Sequence, residues 1–133
     1  VDYFKKINDE FGHSFGDKVL INFSQIMLDQ CRSSDIVCRF GGEEFFILMP
    51  EVSLEVAIQR AEKVRTCYQE EITELLNHPA TISIGIAMWN KDLVDLEGLT
   101  KAADQAMYQA KHNGRNQVVY EGNDPSASPA VVD

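Results

Sequence analysis

The sequence predicts an α/β fold, an α+β sandwich in which helices flank a central, antiparallel-rich sheet. Three observations carry this. Segments with apolar residues at three- and four-residue spacing alternate with short runs of strand formers. One pair of those runs is joined by a glycine turn. A chain of 133 residues, 44% hydrophobic and 25% charged, also has the length and composition of one globular domain that buries most of its apolar surface.

Val1-Asp2 reads as the end of a strand, so the chain is expected to be a fragment. From Gly16 onward Val19, Leu20, Phe23, Ile26, Met27 and Cys31 recur with the period of an amphipathic helix. Asp17 sits where a carboxylate favours a helix N-terminus. Runs at 35–40 and 45–49 flank Gly41-Gly42-Glu43-Glu44, and the second ends at Pro50, which predicts a β-hairpin. Ser53 can cap a long helix with Leu54, Ile58, Ala61, Val64 and Tyr68 on one face. Residues 81–89 alternate isoleucine and Met88 with Ser83, Gly85 and Ala87, small residues that let a helix or ligand approach closely. Leu99, Ala102, Ala103, Ala106, Met107 and Ala110 form another helical stripe, stopped by Asn113-Gly114 before a short strand at 117–120. The order (β)-α-β-β-α-β-α-β contains a ferredoxin-like βαββαβ core. Residues 121–133, rich in Pro, Ser, Ala and Asp, predict a disordered tail.

The formal net charge is −9, from 12 Lys plus Arg against 21 Asp plus Glu. An acidic chain without a Lys/Arg block lacks the broad positive field that nucleic acid or an anionic membrane surface requires. No run approaches the length of a membrane span and no signal segment opens the chain, so a soluble, cytoplasmic domain is expected. Cys31, Cys38 and Cys67 form no CxxC pair and are expected as small core residues.

Two segments carry chemistry. At Arg39-Phe40-Gly41-Gly42-Glu43-Glu44-Phe45, paired carboxylates on a rigid turn suit a hard divalent cation such as Mg²⁺. The two glycines leave room for a phosphate chain or base near the backbone. The alternative is a solvated acidic turn. At 2–17 the chain offers Lys5 to an anion and presents Asn8, His13 and Asp17 on loops around Gly12 and Gly16. An Asn amide with an Asp carboxylate can read a guanine edge. Equally, Asn8 and Asp9 fit a helix end, Asp17 a helix N-terminal charge and His13 a loop hydrogen bond.

Four motifs in order, DYFKKINDEFGHSFGD, RFGGEEF, TISIGIA and AMYQAKHNGRN, resemble the GGDEF family of bacterial diguanylate cyclases over 1–120. The resemblance implies a fold akin to the nucleotidyl cyclase and polymerase palm. It implies an enzyme that condenses two GTP molecules into cyclic di-GMP with release of two pyrophosphates, each domain of a homodimer holding one GTP, with Mg²⁺ or Mn²⁺ as cofactor. Glu43 would ligate metal and accept the 3′-hydroxyl proton, and Glu44 would support the metal shell. Asn8 and Asp17 would recognise guanine, His13 would contact the nucleotide, and Phe4 and Lys5 would lie along the triphosphate beside Gly41 and Gly42. Lys111 and Arg115 would meet the β- and γ-phosphates. Arg32 and Asp35 match the family's RxxD inhibitory site for product, and Lys63 stands where some members use a second arginine. The family's first metal-ligand Asp falls just before Val1. Val1 would therefore lend its backbone carbonyl, Asp2 is the next acid, and this fragment is expected to be weakly active or inactive. An upstream sensor or membrane domain is implied for the parent protein. A module that binds GTP or cyclic di-GMP without turnover is the alternative function.

Overall fold

Phe4, Ile7, Phe11 and Phe15 follow one another at helical spacing, and the chain coils where loops were expected. The computed structural model describes residues 1–89, 95–121 and 130–132. Helix α1 spans Phe4–Phe11 and α2 spans His13–Asp29. They break at Gly12, whose φ of 88° suits glycine. The loop reading of 2–17 is corrected accordingly: Ile7 is buried and Phe4, Phe11 and Phe15 pack against the core, and that burial outweighs the polar residues between them. Asp17 consequently lies in the second turn of α2 rather than at its start. Val1 and Asp2 form no strand; the Asp2 amide instead donates one hydrogen bond to Thr81 O at 3.0 Å.

The hairpin forms as expected, with β1 at Ile36–Gly41 and β2 at Glu44–Met49. Ser53 caps α3, Leu54–Leu76, by accepting from Val56 N at 3.2 Å. Strand β3 is Ile84–Met88, and α4 is Leu96–His112, capped by Asp95 accepting from Gly98 N at 2.8 Å. Strand β4 is Val118–Glu121 and β5 is Ala130–Val132. The sheet order is β1-β2-β5-β3-β4, antiparallel throughout except for the parallel β3/β4 pair. The expected tail at 121–133 is thereby corrected at both ends. Glu121 closes β4, and Ala130-Val131-Val132, a triplet ending in two β-branched residues, completes ladders on both β2 and β3. Residues 122–129 and 133 lie outside the described residues.

Alternation along β2 and β3 divides the core between two faces. Phe45, Ile47, Met49, Ile84 and Ile86 meet α2 and α3 on one side. Phe46, Leu48 and Ala87 meet α4 on the other. All five β3 residues are buried, as a strand covered on both faces requires. Gly85 is what lets α4 lie so close, because a Cβ there would stand 2.8 Å from Met107 Cα and closer still to Ala103 O. Cys31 and Cys67, half-buried, pack against this core as expected, whereas Cys38 is exposed on the edge strand β1. Among the described residues no helix is long and apolar enough to cross a membrane.

Candidate active site

The hairpin turn is pinned from both sides. Phe45 is buried edge-on against Phe23, with ring centroids 5.2 Å apart. Arg39 donates from Nε and Nη2 to Gly42 O at 3.1 and 2.6 Å. A register shift between Arg39 and Gly41 leaves Gly42 and Glu43 at the tip. A Cβ on Gly41 or Gly42 would meet nothing within 4 Å, and neither glycine has a positive φ. The fold itself therefore does not require glycine at either position. What the pair does provide is uncovered backbone beside two carboxylates.

Glu43 and Glu44, both half-buried, border a cleft with Val1, Ser83 and Lys111 over a floor that includes Phe45. Its volume is about 20 Å³, room for a water or a bare cation and far too small for a nucleotide. Glu44 also borders a wider groove of about 550 Å³ between the hairpin and α4. The two carboxylates offer oxygen donors of the kind that a hard divalent cation takes when it shares its shell with phosphate oxygens. Three acidic, His or Cys side chains are not gathered anywhere among the described residues. A cation here would accordingly need ligands from substrate or water.

Asp2 is not available as a further ligand. Its carboxylate, 3% exposed, accepts from Thr81 Oγ1 at 2.8 Å, Ser83 Oγ at 2.7 Å and Asn116 N at 3.2 Å. The hydroxyls of Thr81 and of Ser83, the latter notable in the sequence only as a small residue, are what hold it. Tyr68, fully buried nearby, has its hydroxyl pKa pushed up first by burial and then by the negative charge of Asp2. Among the described residues that hydroxyl has no hydrogen-bond partner.

The two N-terminal helices bring Phe4 and Asn8, one turn apart on α1, against Gly16 on α2. A Cβ on Gly16 would collide with Asn8 Oδ1 and lie 3.4 Å from Phe4 Cζ, so glycine makes the seat for the amide. Asp17 follows that seat in the chain and is exposed, as are Lys5 on α1 and His13 at the start of α2. Lys111 reaches the cleft from α4. Arg115 does not continue that helical face, because α4 ends at His112 and Arg115 has a left-handed φ of 63°. Its guanidinium lies 4.5 Å from the centre of the Tyr3 ring.

Arg32 and Asp35 meet as the spacing suggested. Asp35 Oδ1 accepts from Arg32 Nη2 at 3.0 Å and Oδ2 accepts from Arg32 N at 2.8 Å. The second cation on Asp35 is Arg60 at 2.9 Å rather than Lys63, which is exposed. Arg60 and Lys63 lie one turn apart on α3, and it is the former that points back to Asp35, just before β1. Between the two arginines the Asp35 side chain is fully enclosed. The Cys31 thiol pKa is raised, first by burial and then by Asp35, with Arg60 acting the other way.

Comparison with known proteins bears on the family and the fold. The family described as diguanylate cyclase, GGDEF domain, matches residues 1–117. The response regulator PleD of Caulobacter vibrioides is 42% identical over 125 residues, covering 90% of this chain and 27% of PleD. The chain thus spans about a quarter of the length of that relative. The active GGEEF domain of a diguanylate cyclase from Vibrio cholerae superposes with a TM-score of 0.83 at 32% identity, covering 92% of this chain and 79% of that one. The GGDEF domain of DgcB from Caulobacter crescentus, solved with c-di-GMP, gives a TM-score of 0.81 at 26% identity, covering 90% and 70%. With the family model spanning residues 1–117 and relatives alike in both sequence and fold, the chain belongs to the GGDEF diguanylate cyclase domain family.

Proposed function

We propose that this domain condenses two GTP molecules into cyclic di-GMP and two pyrophosphates, each copy of a homodimer holding one GTP, as the cytoplasmic output domain of a larger signalling protein. The observation that carries the reading is the convergence of Glu43, Glu44, Val1 and Lys111 on one cleft beside two uncovered glycines. Adjacent carboxylates alone fit a solvated turn; adjacent carboxylates facing a lysine, with open backbone alongside, fit phosphoryl chemistry.

Glu43 holds Mg²⁺ or Mn²⁺ and accepts the proton of the attacking 3′-hydroxyl. Glu44 and the Val1 carbonyl complete the protein's share of the metal shell. The metal, when bound, stabilises charge on the transferring phosphoryl group. The backbone at Gly41 and Gly42 lets the phosphate chain approach closely. Lys111 and Arg115 take the β- and γ-phosphates, with Lys5 and Phe4 along the triphosphate. Asn8 and Asp17 read guanine, the amide held in its seat by Gly16, and His13 contacts the nucleotide. In each half-reaction a new 3′-oxygen to α-phosphorus bond replaces the bond to pyrophosphate. Two such steps close the ring, so a single copy cannot complete it.

Product regulation belongs to the same reading. Cyclic di-GMP engages Arg32 with Asp35, and DgcB, a relative of similar fold, was solved with that nucleotide. Because Asp35 is already held by Arg32 and Arg60, its carboxylate becomes available to guanine only as one of these arginines turns to the ligand. Lys63 adds charge nearby without an arginine's planar fork.

The full-length protein that carries this domain, incubated with GTP and Mg²⁺, should yield cyclic di-GMP, detected by mass spectrometry, and Glu43→Gln should abolish it. Turnover by the variant at the unmodified rate would refute the role of Glu43. Stoichiometric binding of GTP by both proteins without product would instead favour a binding module.

A further inference from the structure

Three non-glycine residues take the left-handed conformation around one point: Tyr3 at φ 55°, Arg115 at φ 63° and Asn116 at φ 48°. L side chains adopt that region rarely, and they persist there only when surrounding contacts hold them. The contacts at the turn after α4 are specific. Asn116 N donates to the buried Asp2 carboxylate at 3.2 Å. Gln117 Nε2 donates to Asn113 O and Arg115 O at 2.9 and 3.1 Å. From the middle of α3, Arg65 donates from Nη1 to Asn116 Oδ1 at 2.8 Å.

Arg65 itself is held. Its Nε and Nη2 grip Glu62 Oε2 at 3.1 and 2.7 Å, and its side chain is 17% exposed. With one edge of the guanidinium fixed on Glu62, Nη1 is left to point at a single target, the Asn116 amide. A lysine could make one of these contacts but not both edges at once. No ion pair needs this geometry for its own sake, since an i,i+3 pair on a helix forms without any third partner.

We propose that Arg65 is a positioning residue: by holding Asn116 it fixes the left-handed turn that aims the Arg115 guanidinium at the β- and γ-phosphates of a nucleoside triphosphate. The proposal rests on the reading of Arg115 given under Proposed function. Without Arg65 the Asn116 amide loses its side-chain donor, the strained pair relaxes toward ordinary φ, and the guanidinium leaves its platform on Tyr3.

The test compares the affinities of the protein for GTP and GMP in Mg²⁺ by isothermal titration calorimetry. Arg65→Ala should weaken GTP binding about tenfold, the scale of one misplaced charge-assisted contact, while GMP binding stays within about twofold. Arg115→Ala should show the same selective loss. The double variant should bind GTP no worse than Arg115→Ala alone, because both changes remove one interaction. Asn116→Gly keeps the left-handed turn open to the backbone but removes the amide, and it should reproduce the loss even if Arg65→Ala unsettles α3. If Arg115→Ala loses the triphosphate preference while Arg65→Ala and Asn116→Gly retain it, or lose GTP and GMP equally, the positioning role is overturned. If Arg115→Ala itself retains the preference, the phosphate role of Arg115 fails instead.

Discussion

A methyl group added at Gly85 should unseat α4. The new Cβ would stand 2.8 Å from Met107 Cα, where ordinary contact begins at 3.4 Å, and it would press harder still on Ala103 O and Met107 N. All three are backbone atoms of one helix, so no side chain can turn away, and α4 must retreat from β3 by a good fraction of an ångström. That retreat opens the packing of Ala87, Leu99, Ala102 and Ala103, which form the core on this face. Overpacking of this kind costs about 1–3 kcal/mol, and a clash with backbone belongs at the upper end. For a domain of this size the melting temperature should fall by about 10 °C. Circular dichroism against temperature reads the change, with Gly42→Ala as the control. A Cβ at Gly42 enters open space, and that variant should stay within about 0.5 kcal/mol of the parent. A Gly85→Ala protein that loses less than about 1 kcal/mol would refute the close approach of α4 to β3.

Gly16→Ala gives the opposite pattern, because its Cβ meets the movable end of Asn8. Stability should change little while preference for GTP over ATP, measured by competition binding, falls; unchanged preference would remove Asn8 from guanine reading. Tyr68 has a pKa raised above its ordinary value near 10 by burial. Above about pH 10 the unfolded chain releases that proton before the folded one does, so stability falls as pH rises. Tyr68→Phe should flatten this alkaline slope and, by removing an unpartnered hydroxyl, leave stability at pH 7 equal or up to about 2 kcal/mol higher. A steeper alkaline slope in denaturant titrations would refute it. Arg32→Ala should raise the cyclic di-GMP concentration needed for half-inhibition at least tenfold, since it removes the charge-assisted contact to the product; unchanged inhibition would place product binding elsewhere.

Periodicity made α2, α3 and α4 legible, and the Gly-Gly turn marked the hairpin, because each is decided by residues near in sequence. Helix α1 was hidden by the polar residues that separate Phe4, Ile7 and Phe11 and by Gly12 just beyond them; it forms because that stripe finds a core. Strand β5 could not be read locally, since three residues become a strand only where two others present open ladders. The same distinction separates the site residues. Glu43 and Glu44 share a turn and were plain in the sequence. The cage of Asp2 needs Thr81, Ser83 and Asn116 from two other parts of the fold. Arg60 displaced Lys63 beside Asp35 because the phase of α3 decides which of its side chains faces the loop before β1, and no spacing rule measured along the chain contains that phase.

The charge balance and the site are reconciled by where the cations stand. A chain of net charge −9 should repel a triphosphate, and two carboxylates at the mouth of the cleft should strengthen the repulsion. Two unit charges 4 Å apart interact by about 1 kcal/mol in water and about 4 kcal/mol near a protein surface, so the sign of the nearest few charges matters more than the total. Lys111 is the cation at the cleft, Arg115 stands on its braced turn, and Lys5 lies on α1. Glu43 and Glu44 then serve nucleotide binding only when a divalent cation reverses the local sign. It follows that this domain's affinity for GTP should depend on the divalent cation far more than a site lined with lysines would. Chelation should weaken GTP binding in the parent protein and should weaken it much less in Glu43→Gln/Glu44→Gln, where the two repelling charges are gone. Equal sensitivity to chelation in both proteins would mean that the carboxylates do not hold the cation that admits the phosphates.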